Sequence, residues 1–152
     1  MIRIERTNSG SADFTNLVKF LDRELAERDG EDHQFYAQFN KLDKIKHVVL
    51  SYYKDLPVAC GAMKEFQPGI MEIKRMFTKE EYRGKGLASH ILSELEKWST
   101  ELSYNHVVLE TGIRQPEAIH LYKKSGFIII PNYGQYAGVE TSICFEKILT
   151  AK

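Results

Sequence analysis

The sequence has few of the residues that cross-link a chain or bind a metal. Its two cysteines, Cys60 and Cys144, lie in separate apolar runs and lack CxxC spacing. We therefore expect reduced thiols in the core and no disulfide framework. The five histidines show neither HxxxH nor any other metal-ligand spacing, so no metal site is predicted.

The chain also lacks an excess charge and a long hydrophobic run. Lys plus Arg and Asp plus Glu each total 21, so the formal net charge is zero and no global field attracts nucleic acid or an anionic membrane. The N-terminus has no apolar core of signal-peptide length, and no run approaches the roughly 18 apolar residues of a membrane span. A cytoplasmic protein with neither nucleic acid nor membrane as a partner is the expectation.

One domain accounts for residues 1–152, because no repeat, low-complexity tract or long linker divides them. Hydrophobic periodicity predicts a mixed α/β order with hairpins early in the chain. Lys54-Asp55 is a two-residue turn candidate, and Gly126 is placed to cap a helix. The predicted strands are 1–6, 48–53, 56–66, 70–78, 107–109, 127–131 and 139–147, and the predicted helices are 14–29, 35–39, 87–102 and 116–125.

A basic, glycine-rich turn, YRGKGLAS at residues 82–89, separates a strand from a long helix. Gly84 and Gly86 let backbone N–H groups at the helix start converge on an anion, and Arg83 and Lys85 add positive charge. The turn therefore suits a pyrophosphate, although a merely solvated basic turn is the alternative. The turn lacks the Walker pattern GxxxxGK[ST], and it has serine at the last position of the GxGxxG pattern. Both differences argue against a P-loop fold and a dinucleotide-binding fold.

Two motifs in the C-terminal half occur in an informative order. They are RGKGLA at residues 83–88 and AIHLYKKSGF at residues 118–127, joined by a helix and a strand. With them the chain resembles the GNAT superfamily of acyl-CoA-dependent N-acyltransferases, whose motifs read [QR]-x-x-G-x-[GA] and A-x-x-L-Y-x-x-x-G-F. The resemblance covers roughly residues 70–147 and implies an α/β (mixed α+β) fold with a central, mostly antiparallel sheet of six to seven strands and about four flanking helices.

The resemblance also implies acetyl-CoA, or another short acyl-CoA, as the acyl donor. Its pyrophosphate would lie on the amides of residues 83–88, and its pantetheine between residues 76–78 and 107–111. Gln115 stands where the family often has Asn, and its longer amide is a further contact candidate. The predicted donor-binding residues are Met76, Phe77, Thr78, Arg83, Gly84, Lys85, Gly86, Leu87, Ala88, Ser89 and Gln115.

Two residues are predicted to be catalytic. An amine with a pKa of about 10.4 is mostly protonated at pH 7, so acyl transfer needs a base near the acceptor. Glu72 can act directly or through a water, while the competing interpretation is an exposed strand carboxylate and Glu110 is the second candidate. Tyr122 occupies the tyrosine position of the family's helix, which implies a general acid for the leaving thiolate; its alternative is a core aromatic.

The predicted function is transfer of an acetyl group to a primary amine of a small molecule or peptide. A noncatalytic acyl-CoA-binding sensor is the alternative, and an enzyme that binds ATP or NAD at RGKG is a third possibility. Tyrosines of the loop 132–138 can either line the acceptor pocket or form a surface or oligomer contact. A homodimer is the default oligomer, since dimers are the commonest assemblies.

Overall fold

The computed structural model describes residues 2–30 and 45–149, which form one sheet with helices on both faces. The predicted helix over 35–39 lies outside the described residues. The strands are β1 (Ile2–Thr7), β2 (His47–Tyr53), β3 (Leu56–Gln67), β4 (Ile70–Thr78), β5 (His106–Gly112), β6 (Ile128–Ile130) and β7 (Ser142–Ile148). The α-helices are α1 (Ala12–Asp29), α2 (Leu87–Glu101) and α3 (Pro116–Lys124).

Within the described residues, seven strands are hydrogen-bonded in the order β1-β2-β3-β4-β5-β7-β6. Every neighbouring pair is antiparallel except β4 and β5, which are parallel and connected through α2. The predicted, mostly antiparallel sheet is therefore confirmed. The β4–β5 pairing runs from Ile70 opposite His106 to Ile73 opposite Leu109. The C-terminal ends of the two strands lie beyond this paired region.

Alternation along the strands creates two cores, one on each face of the sheet. Val48 and Leu50 pack with Phe14 and Leu17 of α1, whereas Val49, between them, packs with the apolar side of α2. Residues of α3 and β7 extend this second core. Of the helices in the described segments, none is long and apolar enough to cross a membrane.

The predicted hairpin between β2 and β3 is confirmed. Lys54 and Asp55 have φ angles of 49° and 67°, so both central residues are left-handed, as a two-residue type I′ turn requires. The two thiols are also buried and free, as expected: Cys60 lies in the core against α1, and Cys144 lies in a separate small cluster with Tyr136. Burial raises the pKa of Cys60 to about 12 and that of Cys144 to about 11, so both are protonated at neutral pH.

A β-bulge interrupts β4 next to the end of its pairing with β5. Ala62 of β3 lies opposite Lys74 and Cys60 opposite Phe77, so Gly61 faces two residues of β4. One of the two is Arg75, whose φ is 61°. A bulge of this kind re-aims the side chain that it inserts. The bulge turns Arg75 towards α1, where its guanidinium pairs with Asp22.

Candidate functional site

Two adjoining cavities lie where β4 and β5 stop pairing. The loop cavity, of about 360 Å³, is bordered by the end of β4, the turn 82–89 and α3. The inner cavity, of about 110 Å³, is bordered by α1 and by the middle of β4 and the end of β5. Both cavities are lined by Leu21, Met76, Gln115, Ala118 and Tyr122.

The glycine turn gives the loop cavity a wall of backbone groups. Gly84 and Gly86 have φ angles of 77° and 81°, a left-handed conformation that other residues rarely adopt. Gly86 is the N-cap of α2, and its carbonyl accepts the first intrahelical hydrogen bond, from the N–H of His90. The N–H groups of the first turn of α2 therefore have no intrahelical acceptor. This end of the helix also carries the positive end of its dipole, which suits an anion.

The two basic side chains of the turn have different surroundings. Arg83 lines the loop cavity, but its Nε donates to the carbonyl of Thr78 at 2.9 Å and its Nη2 to Oε2 of Glu24 at 2.6 Å. Arg83, which was predicted to attract an anion, therefore also holds the turn against α1 through Glu24. Lys85 is exposed, with its Nζ 5.8 Å from the ring centroid of Tyr82, and it does not line the cavity. The other predicted donor-binding residues all line the loop cavity.

Tyr122 lies at the junction of the two cavities. Its side chain is buried, and its ring centroid is 5.9 Å from that of Phe127 and 5.7 Å from that of Phe145. It is therefore a core aromatic that also borders both cavities. Burial, and secondarily the charge of Glu110, raises the pKa of Tyr122 above its ordinary value. The phenol consequently holds its proton at neutral pH.

Glu72 is buried in the inner cavity. Only 4% of its surface is exposed, so the interpretation as an exposed strand carboxylate is wrong. The hydroxyl of Tyr133 donates to its Oε2 at 2.7 Å. Burial and the adjacent charge of Glu72 raise the pKa of Tyr133 well above its usual range, so this phenol remains the donor.

A second carboxylate, Glu110, lines the same cavity from β5. Its Oε2 accepts a hydrogen bond from Oγ of Ser142 at 2.7 Å. Tyr136, which is 3% exposed, completes this wall, and burial together with the charges of Glu110 and Glu72 raises its pKa. The loop 132–138 therefore turns its tyrosines inward, and its interpretation as a surface contact is wrong for Tyr136.

Several lining residues were absent from the sequence prediction. Leu21 and Glu24 come from α1, where helical spacing indicated only a core-facing stripe. Arg75 comes from the bulge, which strand alternation does not reveal. Within residues 2–30 and 45–149, no group of three or more His, Cys, Asp or Glu side chains is arranged to hold a metal ion.

Comparison with known proteins gives one family match. The model of the acetyltransferase (GNAT) family matches residues 14–127. An acetyltransferase described as "IAA acetyltransferase" of Azospirillum brasilense is 33% identical over 93 residues, which are 60% of this chain and 61% of that protein. An N-acetyltransferase of Schizosaccharomyces pombe is 35% identical over 71 residues, or 46% of this chain and 44% of the yeast protein. The chain thus spans less than two thirds of the length of either relative.

Two solved structures share the fold over nearly their whole length. A Klebsiella pneumoniae protein named as an acyl-CoA N-acyltransferase is 26% identical, with 99% of both chains covered and a TM-score of 0.83. The PaiA N-acetyltransferase of Thermoplasma acidophilum, crystallised with coenzyme A, is 15% identical, with 97% of this chain and 99% of that chain covered and a TM-score of 0.73.

Proposed function

Because the chain belongs to the acetyltransferase (GNAT) family, we propose that it transfers an acetyl group from acetyl-CoA directly to a primary amine of a small molecule or peptide. The observation that carries this proposal is the junction of two chemically different cavities at one buried phenol. The loop cavity ends in helix amides, the inner cavity holds two carboxylates, and Tyr122 borders both. Such an arrangement separates an anionic donor from a cationic acceptor and brings their reacting ends together.

The loop cavity fits the donor. The free amides at the start of α2 are suited to the diphosphate, because backbone N–H groups and the helix dipole both favour an anion there. Residues 76–78 lie beyond the segment of β4 that pairs with β5. Their backbone groups on that side can therefore pair with the pantetheine amides, as a β-strand would. The thioester is then held beside Tyr122 at the junction.

The inner cavity fits the acceptor. A primary amine with a pKa of about 10.4 loses its proton at pH 7 at a cost of roughly 4.6 kcal/mol, so a base lowers the barrier. Glu72 takes this proton, directly or through a water. The amine nitrogen then bonds to the thioester carbon, the carbon–sulfur bond breaks, and Tyr122 protonates the departing thiolate. The acetylated nitrogen still carries two protons and gives one of them to the Tyr122 phenolate, while Glu72 releases to solvent the proton that it took.

Thiol release tests this function. The protein is mixed with acetyl-CoA and a panel of primary amines, and free CoA thiol is followed over time. We expect release that depends on both the protein and the amine. Tight binding of CoA without release for any amine would instead support a noncatalytic acyl-CoA sensor.

The glycine turn makes the donor preference measurable by thermal unfolding. A ligand present at 100 times its dissociation constant stabilises a protein by about 2.7 kcal/mol, so CoA is expected to raise Tm and ATP is not. Gly86→Ala should abolish the CoA-dependent rise, since Gly86 lines the loop cavity and a side chain is strained at its left-handed φ of 81°. Gly138→Ala is the matched control, because Gly138 has a similar φ of 78° and open space around it. An equal rise with ATP would favour a nucleotide-binding enzyme.

A further inference from the structure

The inner cavity contains a buried cation that the proposed chemistry does not use. The side chain of Arg75 is 3% exposed and lines this cavity together with Glu72 and Glu110. We propose that Arg75 binds a carboxylate of the acceptor, so that the acceptor is a small molecule with both an amine and a carboxylate. This inference rests on the proposed function, since it names the substrate class of the same site.

The hydrogen-bonding state of Arg75 is the first argument. Its Nη1 donates to Oδ1 of Asp22 at 2.7 Å, but its Nη2 is buried and has no hydrogen-bond partner among the described residues. A buried donor without an acceptor is destabilising, and native proteins retain few of them. A carboxylate oxygen is the acceptor that a guanidinium binds best, through short charge-assisted hydrogen bonds.

The position of Arg75 is the second argument. Arg75 borders the inner cavity and not the loop cavity, so it is on the acceptor side and not among the donor's phosphates. Its φ of 61° belongs to the bulge that turns it towards α1. A strained, left-handed residue persists only where the surrounding structure enforces it, and such residues cluster at functional sites.

The charges along the cavity are the third argument. Glu72 and Glu110 provide negative charge, while Arg75 and its neighbour Lys74 provide positive charge on the same lining. An amine without a carboxylate would complement only the acidic part and would leave Nη2 of Arg75 unsatisfied. A zwitterionic amino acid, or an amine bearing a distal carboxylate, complements both parts.

The test compares acceptors that differ only in the carboxylate. α-Amino acids and linear ω-amino acids of two to six carbons are each paired with their carboxamides, and kcat and KM are measured by thiol release. For the preferred length we expect the wild type to favour the acid by about 10- to 100-fold in kcat/KM, as one buried charge-assisted hydrogen bond provides. Arg75→Gln should abolish this preference through KM for the acid. For each acceptor, kcat/KM of the variant is divided by kcat/KM of the wild type. This ratio cancels the difference in amine pKa between an acid and its carboxamide.

Two further variants separate binding from folding. Arg75→Lys keeps the charge facing Asp22 but removes the guanidinium fork, so it should lose most of the preference while retaining the CoA-dependent rise in Tm. Arg6→Gln is the control, because Arg6 is another arginine paired with carboxylates, those of Glu94 and Glu101, but it borders neither cavity. It should leave the preference unchanged.

Each remaining outcome also decides the question. Transfer without a preference for acids, or an equal loss for acid and amide in Arg75→Gln, would overturn the inference while leaving the proposed function intact. If no amine is acetylated, the proposed function fails. Calorimetric titration of the same acid–amide pairs into the CoA complex then decides whether Arg75 binds a carboxylate. Acid-selective binding that Arg75→Gln removes would support the inference, and equal binding or no binding would refute it.

Discussion

Replacing Tyr122 with phenylalanine is expected to lower kcat by about 10²–10⁴-fold and to leave acyl-CoA affinity nearly unchanged. The phenyl ring retains the packing on Phe127 and Phe145, so the fold and both cavities persist. The variant lacks only the proton donor for the departing thiolate. The measurement is kcat from thiol release at saturating acceptor, alongside direct titration with CoA.

A matched control exists for this phenol. The hydroxyl of Tyr104 donates to Glu65 at 2.6 Å on the surface, away from both cavities, and Tyr104→Phe should retain full activity. Full activity in Tyr122→Phe would remove Tyr122 from the mechanism. A large loss of CoA affinity instead of kcat would make its hydroxyl a donor-binding group. Because the pKa of Tyr122 is raised, its deprotonation should not limit the wild-type rate below about pH 10.

Glu72→Gln is expected to lower kcat/KM at pH 7 by about 10²–10⁴-fold, and the loss should diminish as the pH rises. At pH 7 most of the acceptor is protonated, so removal of the base exposes the full cost of deprotonation. The neutral fraction of an amine with a pKa of about 10.4 grows about tenfold per pH unit below that value. The measurement is a kcat/KM profile from pH 7 to pH 10 for both proteins.

Glutamine retains an oxygen that can accept the hydrogen bond from Tyr133, so the inner cavity should keep its shape. Glu65→Gln, in the surface pair with Tyr104, should have a wild-type profile. A loss in Glu72→Gln that stays constant with pH would assign Glu72 to acceptor positioning. A pH-dependent loss in Glu110→Gln alone would assign the base to Glu110.

Short-range patterns in the sequence were sufficient for most of the secondary structure. The predicted strand over 70–78 coincides with β4, and the helix predicted from residue 87 begins at the N-terminus of α2. Hydrophobic periodicity and turn chemistry depend on residues close together in the chain, so both can be detected in a single sequence. The glycine turn could be identified from the sequence for the same reason, because its glycines, its charged residues and the start of the helix are contiguous.

The inner cavity, in contrast, depends on contacts between distant segments of the chain. Strand alternation alone allowed Glu72 to be exposed. Glu72 is buried because Tyr133, 61 positions later in the chain, covers its carboxylate and because α1 borders the same cavity. Arg75 faces that cavity only because β4 pairs with β3 through a bulge, and no local pattern marks this register. The sequence by itself thus determined most of the described strands and helices, the glycine turn before α2 and the place of Tyr122 in α3. Only the tertiary structure decided which charges meet at the inner cavity, because pairing register and burial depend on residues far apart in the chain.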